Sequence, residues 1–198
     1  MYFRQPVSPR PARDRLLDAA ERVVVEAGAT HLTLDAVAKS AGVSKGGLLY
    51  HFPSKEALLE GMLARHFQDL DSEVTKRLAS RERKTSGRER KASRADVFSE
   101  RVRVLLEWHP ERPAFGVAMV AASADNPENM AACRTEYRKL LDEFAKLPGG
   151  FEGSALVLLA VQGLLLSELL HLSPYTPKER SKLVKAMLRA ADECGSTQ

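Results

Sequence analysis

Thr33, Ser44 and Ser54 each stand where a side-chain hydroxyl can accept a bond from a free amide at the start of a helix. The apolar residues around them, Leu32 and Val37, Val43 and Leu48, Pro53 and Leu58, fit the staple that fixes a chain's entry into a helix. Three helix starts are therefore expected within residues 33–58. Between the first two the chain reads Ala41-Gly42-Val43, and a glycine after a short helix is the usual way into the left-handed conformation that ends it. Two short helices joined by a tight glycine turn predict a helix-turn-helix, a device whose second helix lies in the major groove of duplex DNA. The chemistry on offer is recognition by hydrogen bonds and charge.

Helical geometry divides the second of these helices. Leu48 and Phe52, four apart, mark the face packed on the preceding helices; Lys45, Gly46, Leu49 and Tyr50 fall opposite, with Gly47 at the edge. Lys45 reads as a DNA contact at the start of the recognition helix, or else as an ordinary solvated lysine. Gly46 and Gly47 each cost about 1 kcal/mol relative to alanine inside a helix, so their use points to a close approach of backbone to bases or phosphate, the alternative being a poorly wound first turn. Tyr50 can donate its hydroxyl to a phosphate or cap the small core with its ring. Thr33 and Ser44 can touch phosphate as well as cap.

The block from Glu26-Ala27-Gly28 through Leu32-Thr33-Leu34, Val37-Ala38 and Gly42-Val43-Ser44 to the run Leu48-Leu49-Tyr50-His51-Phe52-Pro53-Ser54-Lys55-Glu56-Ala57-Leu58-Leu59 resembles the N-terminal domain of the TetR family of transcriptional regulators. The resemblance covers about residues 11–60. It implies an all-α protein: an N-terminal three-helix DNA-binding domain, then a helical domain over residues 61–198 that dimerises and binds a small effector. It also implies a homodimer on a near-palindromic operator, a repressor released by its effector, and cytoplasmic action. Lys55 matches a family position that meets the DNA backbone, near free amides that favour anions. The family commonly places tyrosine directly after the leucine; here that position is Leu49, so Tyr50 or His51 takes over that contact.

No catalytic constellation competes with this reading. Phosphate-loop and dinucleotide glycine patterns and a His-Glu-x-x-His pair are all missing from the sequence. Cys133 and Cys194 have no ligand-like spacing, and His66 with Asp69 reads as a surface pair rather than a metal site. Neither an enzyme nor a cofactor nor a metal is expected. The proline-containing first ten residues read as a flexible basic arm, with no apolar run long enough for a signal peptide.

Charge is unevenly spread around the formal net of +4. Residues 1–55 hold eight Lys/Arg against five Asp/Glu, a mildly basic head suited to phosphate contact, and residues 76–103 hold eleven against four. The second surplus supports a competing function, a non-specific or architectural nucleic-acid binder. Within it residues 80–94 read as a mobile connector.

Helices are expected at about 11–27, 34–41, 45–51 and 54–80, then 95–109, 112–124, 127–147, 154–172 and 177–193. Trp108, Phe115, Met119, Tyr137 and Phe144 are candidates for an apolar effector pocket or for core, and Glu168 either orients an effector or pairs with His171 or a neighbouring arginine. Residues 155–172 are the most apolar run, read as a bundle helix rather than a membrane span. Leu183, Met187 and Leu188 on the last helix are expected to form, beside that run, a four-helix contact with a second copy.

Overall fold

The computed structural model describes residues 11–84, 92–108, 116–118, 120 and 126–196, and among them all regular structure is helical. The helices are α1 (Ala12–Ala27), α2 (Leu34–Ala41), α3 (Lys45–His51), α4 (Lys55–Lys84), α5 (Arg94–Trp108), α6 (Ala131–Phe144), α7 (Gly150–Leu169) and α8 (Pro177–Cys194), with single tight turns at Ala29–His31 and Pro127–Met130. The N-terminal arm lies outside the described residues, as do 85–91 of the expected connector and most of the expected helix over 112–124, of which 116–118 and 120 are helical.

The head formed by α1, α2, α3 and the start of α4 closes over Leu17, Ala20, Val37, Leu48, Phe52 and Leu58, each under 2% exposed. Burying a side chain of this size stabilises by about 1.5–3 kcal/mol, and these few residues knit four short segments into one body. Gly61 permits the closest approach: a Cβ there would come within 2.6 Å of the Phe52 ring, which is also covered on another side by the Arg13 guanidinium, 5.1 Å from its centre.

The second body packs α5, α6, α7 and α8 around Phe98, Val102, Phe144, Val161 and Ala191, with the Phe98 and Phe144 ring centres 4.7 Å apart. Leu70 and Val74 of α4 meet Val104 of α5, so α4 belongs to both bodies. Its length departs from expectation. The polar run after Ser80 stays helical to Lys84, because the Arg77 and Arg81 side chains on this turn find carboxylates on α5.

Both ends of α7 moved, and the helix expected over 127–147 is confined to Ala131–Phe144. The glycine pair at 149–150 makes the reversal instead of filling a longer loop: Gly150 takes φ +64° and α7 starts there, four residues early. The same helix stops at Leu169 because His171 adopts φ 55°, with Leu172 N–H bonded back to the Ser167 carbonyl at 2.8 Å. Helix α7 is long and apolar enough by composition to cross a membrane, yet one of its faces, Val157, Val161, Leu164 and Leu165, is core.

Candidate nucleic-acid interface

All three hydroxyls take up the roles their positions suggest. Thr33 Oγ1 accepts from the Ala36 amide, Ser44 Oγ from Gly47 and Ser54 Oγ from Ala57, each at 3.1 Å. Gly42, at φ +69°, ends α2; its N–H bonds the Lys39 carbonyl and the Val43 N–H the Ala38 carbonyl, the paired bonds of a left-handed helix stop. One residue later Ser44 opens α3, so the reversal between the two helices is fixed by local chemistry at both ends.

That reversal presents α3 as the sequence pattern suggests. Leu48 and Phe52 are buried, while Lys45, Gly46, Gly47 and Leu49 are open to solvent and Tyr50 is 85% exposed. The Tyr50 ring stands edge-on to His51 with centres 5.0 Å apart, so it stands off the core rather than capping it. Lys45 Nζ lies 3.0 Å from Asp35 Oδ2 across the turn, an exposed pair that holds the ammonium over α2. A Cβ on Gly46 would meet nothing within 4 Å, whereas one on Gly47 would crowd the Ser44 hydroxyl at 3.3 Å. The fold itself therefore does not require glycine at 46. Lys55 is half-buried in the first turn of α4, beside Glu56, whose carboxyl is held below its ordinary pKa by its own backbone amide and the Ser54 hydroxyl.

The head is tied to α4 by charge as well as core. Arg65 donates to Asp18 Oδ1 at 2.6 Å and to the Asp14 carbonyl at 3.2 Å, and its second terminal nitrogen lies 2.6 Å from Glu21. Arg22 bonds the Ser40 carbonyl at 3.1 Å, joining α1 to the end of α2.

Within the basic stretch 76–103, several of the described arginines are engaged with the protein itself. Arg77 meets Glu73 and Glu107, Arg81 meets Glu100, Arg94 meets Glu143 and Arg101 meets Asp71. Glu100 is 1% exposed between α4 and α5 and balances several of these cations. These described arginines thus form a structural network between α4, α5 and α6. Arg88, Arg90 and Lys91 of the expected connector lie outside the described residues.

Of the candidate effector residues, Tyr137 lines a cavity of about 440 Å³ between α6 and α7. Phe144 does not; it is 2% exposed in the core, because its position on α6 faces Phe98. Glu168 does not either: both its oxygens are taken by Arg180 of α8, at 2.6 and 3.1 Å, rather than by His171 or a pocket. Phe115 and Met119 and the side chain of Trp108 lie outside the described residues. Met187 and Leu188 are half-buried against the second core, and Leu183 is half-buried beside them. An open apolar ridge runs along α7 to its C-cap: Leu156, Leu159, Leu166 and Leu170 are 68%, 62%, 48% and 43% exposed and share one face with Gly163. The sequence pattern places a ridge on the last helix beside this run but does not show which face of the run is open, because α7 is apolar on every side and carries no periodic cue.

Comparison with known proteins agrees with this architecture. Residues 16–62 match the model described as bacterial regulatory proteins, tetR family, and residues 98–192 match the tetracyclin repressor-like C-terminal domain. Over 63 residues the chain is 38% identical to the HTH-type transcriptional regulator SrpR of Pseudomonas putida, covering 32% of this chain and 30% of that protein. Over 54 residues it is 39% identical to the regulator UidR of Escherichia coli, covering 27% and 28%. The match thus spans under a third of either relative's length. Among solved structures, the multidrug binding protein EbrR complexed with ethidium aligns at TM-score 0.62 and 22% identity over 91% of this chain and 98% of that one. The fatty acid degradation regulator FadR of Bacillus halodurans aligns at TM-score 0.66 and 16% identity over 93% and 96%.

Proposed function

Because the chain belongs to the tetR family of helix-turn-helix transcriptional regulators, we propose that it is a cytoplasmic, homodimeric repressor that reads a near-palindromic operator with α3 and releases it when a small molecule occupies the C-terminal body. The observation that carries this reading is the division of α3 into a buried edge, Leu48, and an open face of Lys45, Gly46, Leu49 and Tyr50. On that face Lys45 and Leu49 meet base edges, while Gly46 and Gly47 let the backbone approach. Tyr50, His51, Lys55, Thr33 and Ser44 meet phosphate, which positions the head without reading sequence.

Two heads reach one duplex face when half-sites lie about 34 Å apart or a multiple of that. The α7 ridge, together with Leu183, Met187 and Leu188 of α8, supplies the apolar surface on which a second copy packs as a four-helix contact. The cavity beside Tyr137 is the candidate effector site, and EbrR, which shares the fold, was solved with ethidium. An effector acts only by binding more tightly to the state whose heads are wrongly spaced. Helix α4 carries that change, since its first turns are head and its last turns pack on α5.

Selection of bound duplexes from a random pool tests the proposal. One near-palindromic sequence should be enriched, and its complex should survive excess random DNA. Equal loss to every competitor would point to a non-specific binder instead.

A further inference from the structure

Leu159 belongs to two surfaces at once. It lines the 440 Å³ cavity between α6 and α7, and it is 62% exposed on the ridge that runs along α7. Counted from Gly163, the ridge leucines 156, 159, 166 and 170 stand at −7, −4, +3 and +7. At 3.6 residues per turn all five positions fall within an arc of about 80°. The pattern reads nearly the same in both directions from Gly163. A two-fold axis there sets Leu156 against Leu170 of the partner subunit and Leu159 against Leu166 of the partner subunit, so the ridge is complementary to its own copy. Gly163 fits that crossing: it is exposed, and a Cβ on it would meet nothing within 4 Å among the described residues. The fold of one chain does not call for glycine there, whereas two helices crossing at close range do. From Gly153 to Ser167 the helix carries no charged residue, so a charged partner would find no counterpart on it.

The cavity opens beside this ridge. Its exposed lining residues, Arg134 and Arg138 of α6 with Phe151 and Leu159 of α7, mark the mouth. Both arginines are matched, Arg134 by Glu128 and Arg138 by Asp142, and no Asp or Glu lines the cavity among the described residues. An uncharged apolar guest suits such a lining. On a lone chain the Leu159 lip faces water, and a guest resting against it stays partly hydrated. A second copy on the ridge covers that lip and removes the water. On the α6 side Tyr137, which also lines the cavity, packs edge-to-face on Phe67 of α4 with ring centres 5.7 Å apart. The cavity is therefore bounded by one residue that touches the helix leaving the head and by another that lies on the ridge.

We propose that the effector cavity is complete only in the dimer: the second copy, crossing α7 at Gly163, closes the mouth at Leu159, so that an uncharged apolar guest and the partner subunit each bind more tightly in the presence of the other. This rests on reading the ridge as the subunit contact and the cavity as the effector site, and adds that the first completes the second. Linkage fixes the size of the effect. With one guest per protomer, a tenfold gain at each site tightens the dimer about a hundredfold.

The test uses the full chain without DNA and N-phenyl-1-naphthylamine, an uncharged arylamine that brightens in apolar surroundings. Probe affinity is measured over a dilution series spanning the dimer–monomer transition, which sedimentation follows in parallel. Affinity should fall about tenfold or more on dilution into monomer, and saturating probe should lower the dimer dissociation constant about a hundredfold. Leu156→Glu with Leu166→Glu changes ridge residues that do not line the cavity, so the folded monomer it yields should show the same loss of probe affinity. Ala155→Phe, which fills the cavity from its α7 wall, should abolish probe binding and leave the dimer intact. Should the charged variant fail to fold, the dilution series on the unmutated chain decides alone. No probe binding by the dimer, or binding that Ala155→Phe leaves unaltered, overturns the proposal. A dimer that survives both charges removes the ridge reading and this inference with it. A folded monomer that binds the probe as tightly as the dimer sinks this inference and leaves the ridge reading standing.

Discussion

Arg65 on α4 lies 2.6 Å from Asp18 on α1, so the helix that leaves the head is clamped by charge to the helix that begins it. Its pKa stays above the ordinary value: burial pulls it down, but the carboxylates of Glu21 and Asp18 more than offset that. Replacing Arg65 with methionine should cost about 2 kcal/mol, below the loss from a fully buried pair because Glu21 is 41% exposed. Urea unfolding measures this, and in a cycle with Asp18→Asn the two losses should be markedly non-additive. Simple additivity would mean that the clamp exists only as geometry.

Lys45 and Lys55 should separate by role. Lys45→Ala should weaken the preferred site by about 1–3 kcal/mol and relax discrimination, whereas Lys55→Ala should weaken all duplexes alike and lower the salt slope by about one. Asp35→Asn, which removes the carboxylate 3.0 Å from Lys45, should tighten binding to every duplex. Gel-shift titrations over a salt series read all three; full affinity and unaltered slopes in both lysine variants would place the reading head elsewhere.

Gly46→Ala should move stability and binding in opposite directions. Its new methyl group meets open space in the free protein, so the helix should gain up to about 1 kcal/mol. Against DNA the same methyl crowds the closest backbone approach and should cost about 1–3 kcal/mol. A variant that is more stable and binds equally well would remove the functional reason for this glycine.

Leu156→Glu with Leu166→Glu should yield a folded monomer that no longer holds its operator, since both side chains are exposed and a charge there costs little until a second copy covers it. Sedimentation and helical circular dichroism decide together. A dimer that survives both charges would put the contact on another surface.

Glu179 accepts bonds from the Thr176 amide and hydroxyl, which hold its pKa below the ordinary 4.5. A folded-state pKa lowered in this way contributes stability above the unfolded value and loses it as pH falls through the folded one. Glu179→Ala should therefore destabilise at neutral pH, with the gap to the parent shrinking as pH is taken well below 4.5. A gap constant across that range would assign the effect to helix propensity alone.

The head was legible because its signals are local. A hydroxyl cap, a glycine stop and a four-residue apolar spacing each act within one turn of chain, and Thr33, Gly42, Leu48 and Phe52 behave as their neighbours dictate. The second body hid its logic in long-range pairs. Arg94 found Glu143 on α6, and composition counts such charges without revealing their partners. The stop of α7 was invisible for a related reason: His171 takes the left-handed conformation that glycine would have announced.

The open face of α3 has a bearing on how such a protein diversifies. Lys45, Gly46, Leu49 and Tyr50 contribute nothing to the core beneath them, and α3 is itself too short to persist in isolation, so its shape is borrowed from α1, α2 and α4. Letters on that face can be exchanged at almost no cost to folding. A lineage can thus acquire a new target sequence in single steps, each variant as well folded as its parent, while the second body is inherited unchanged.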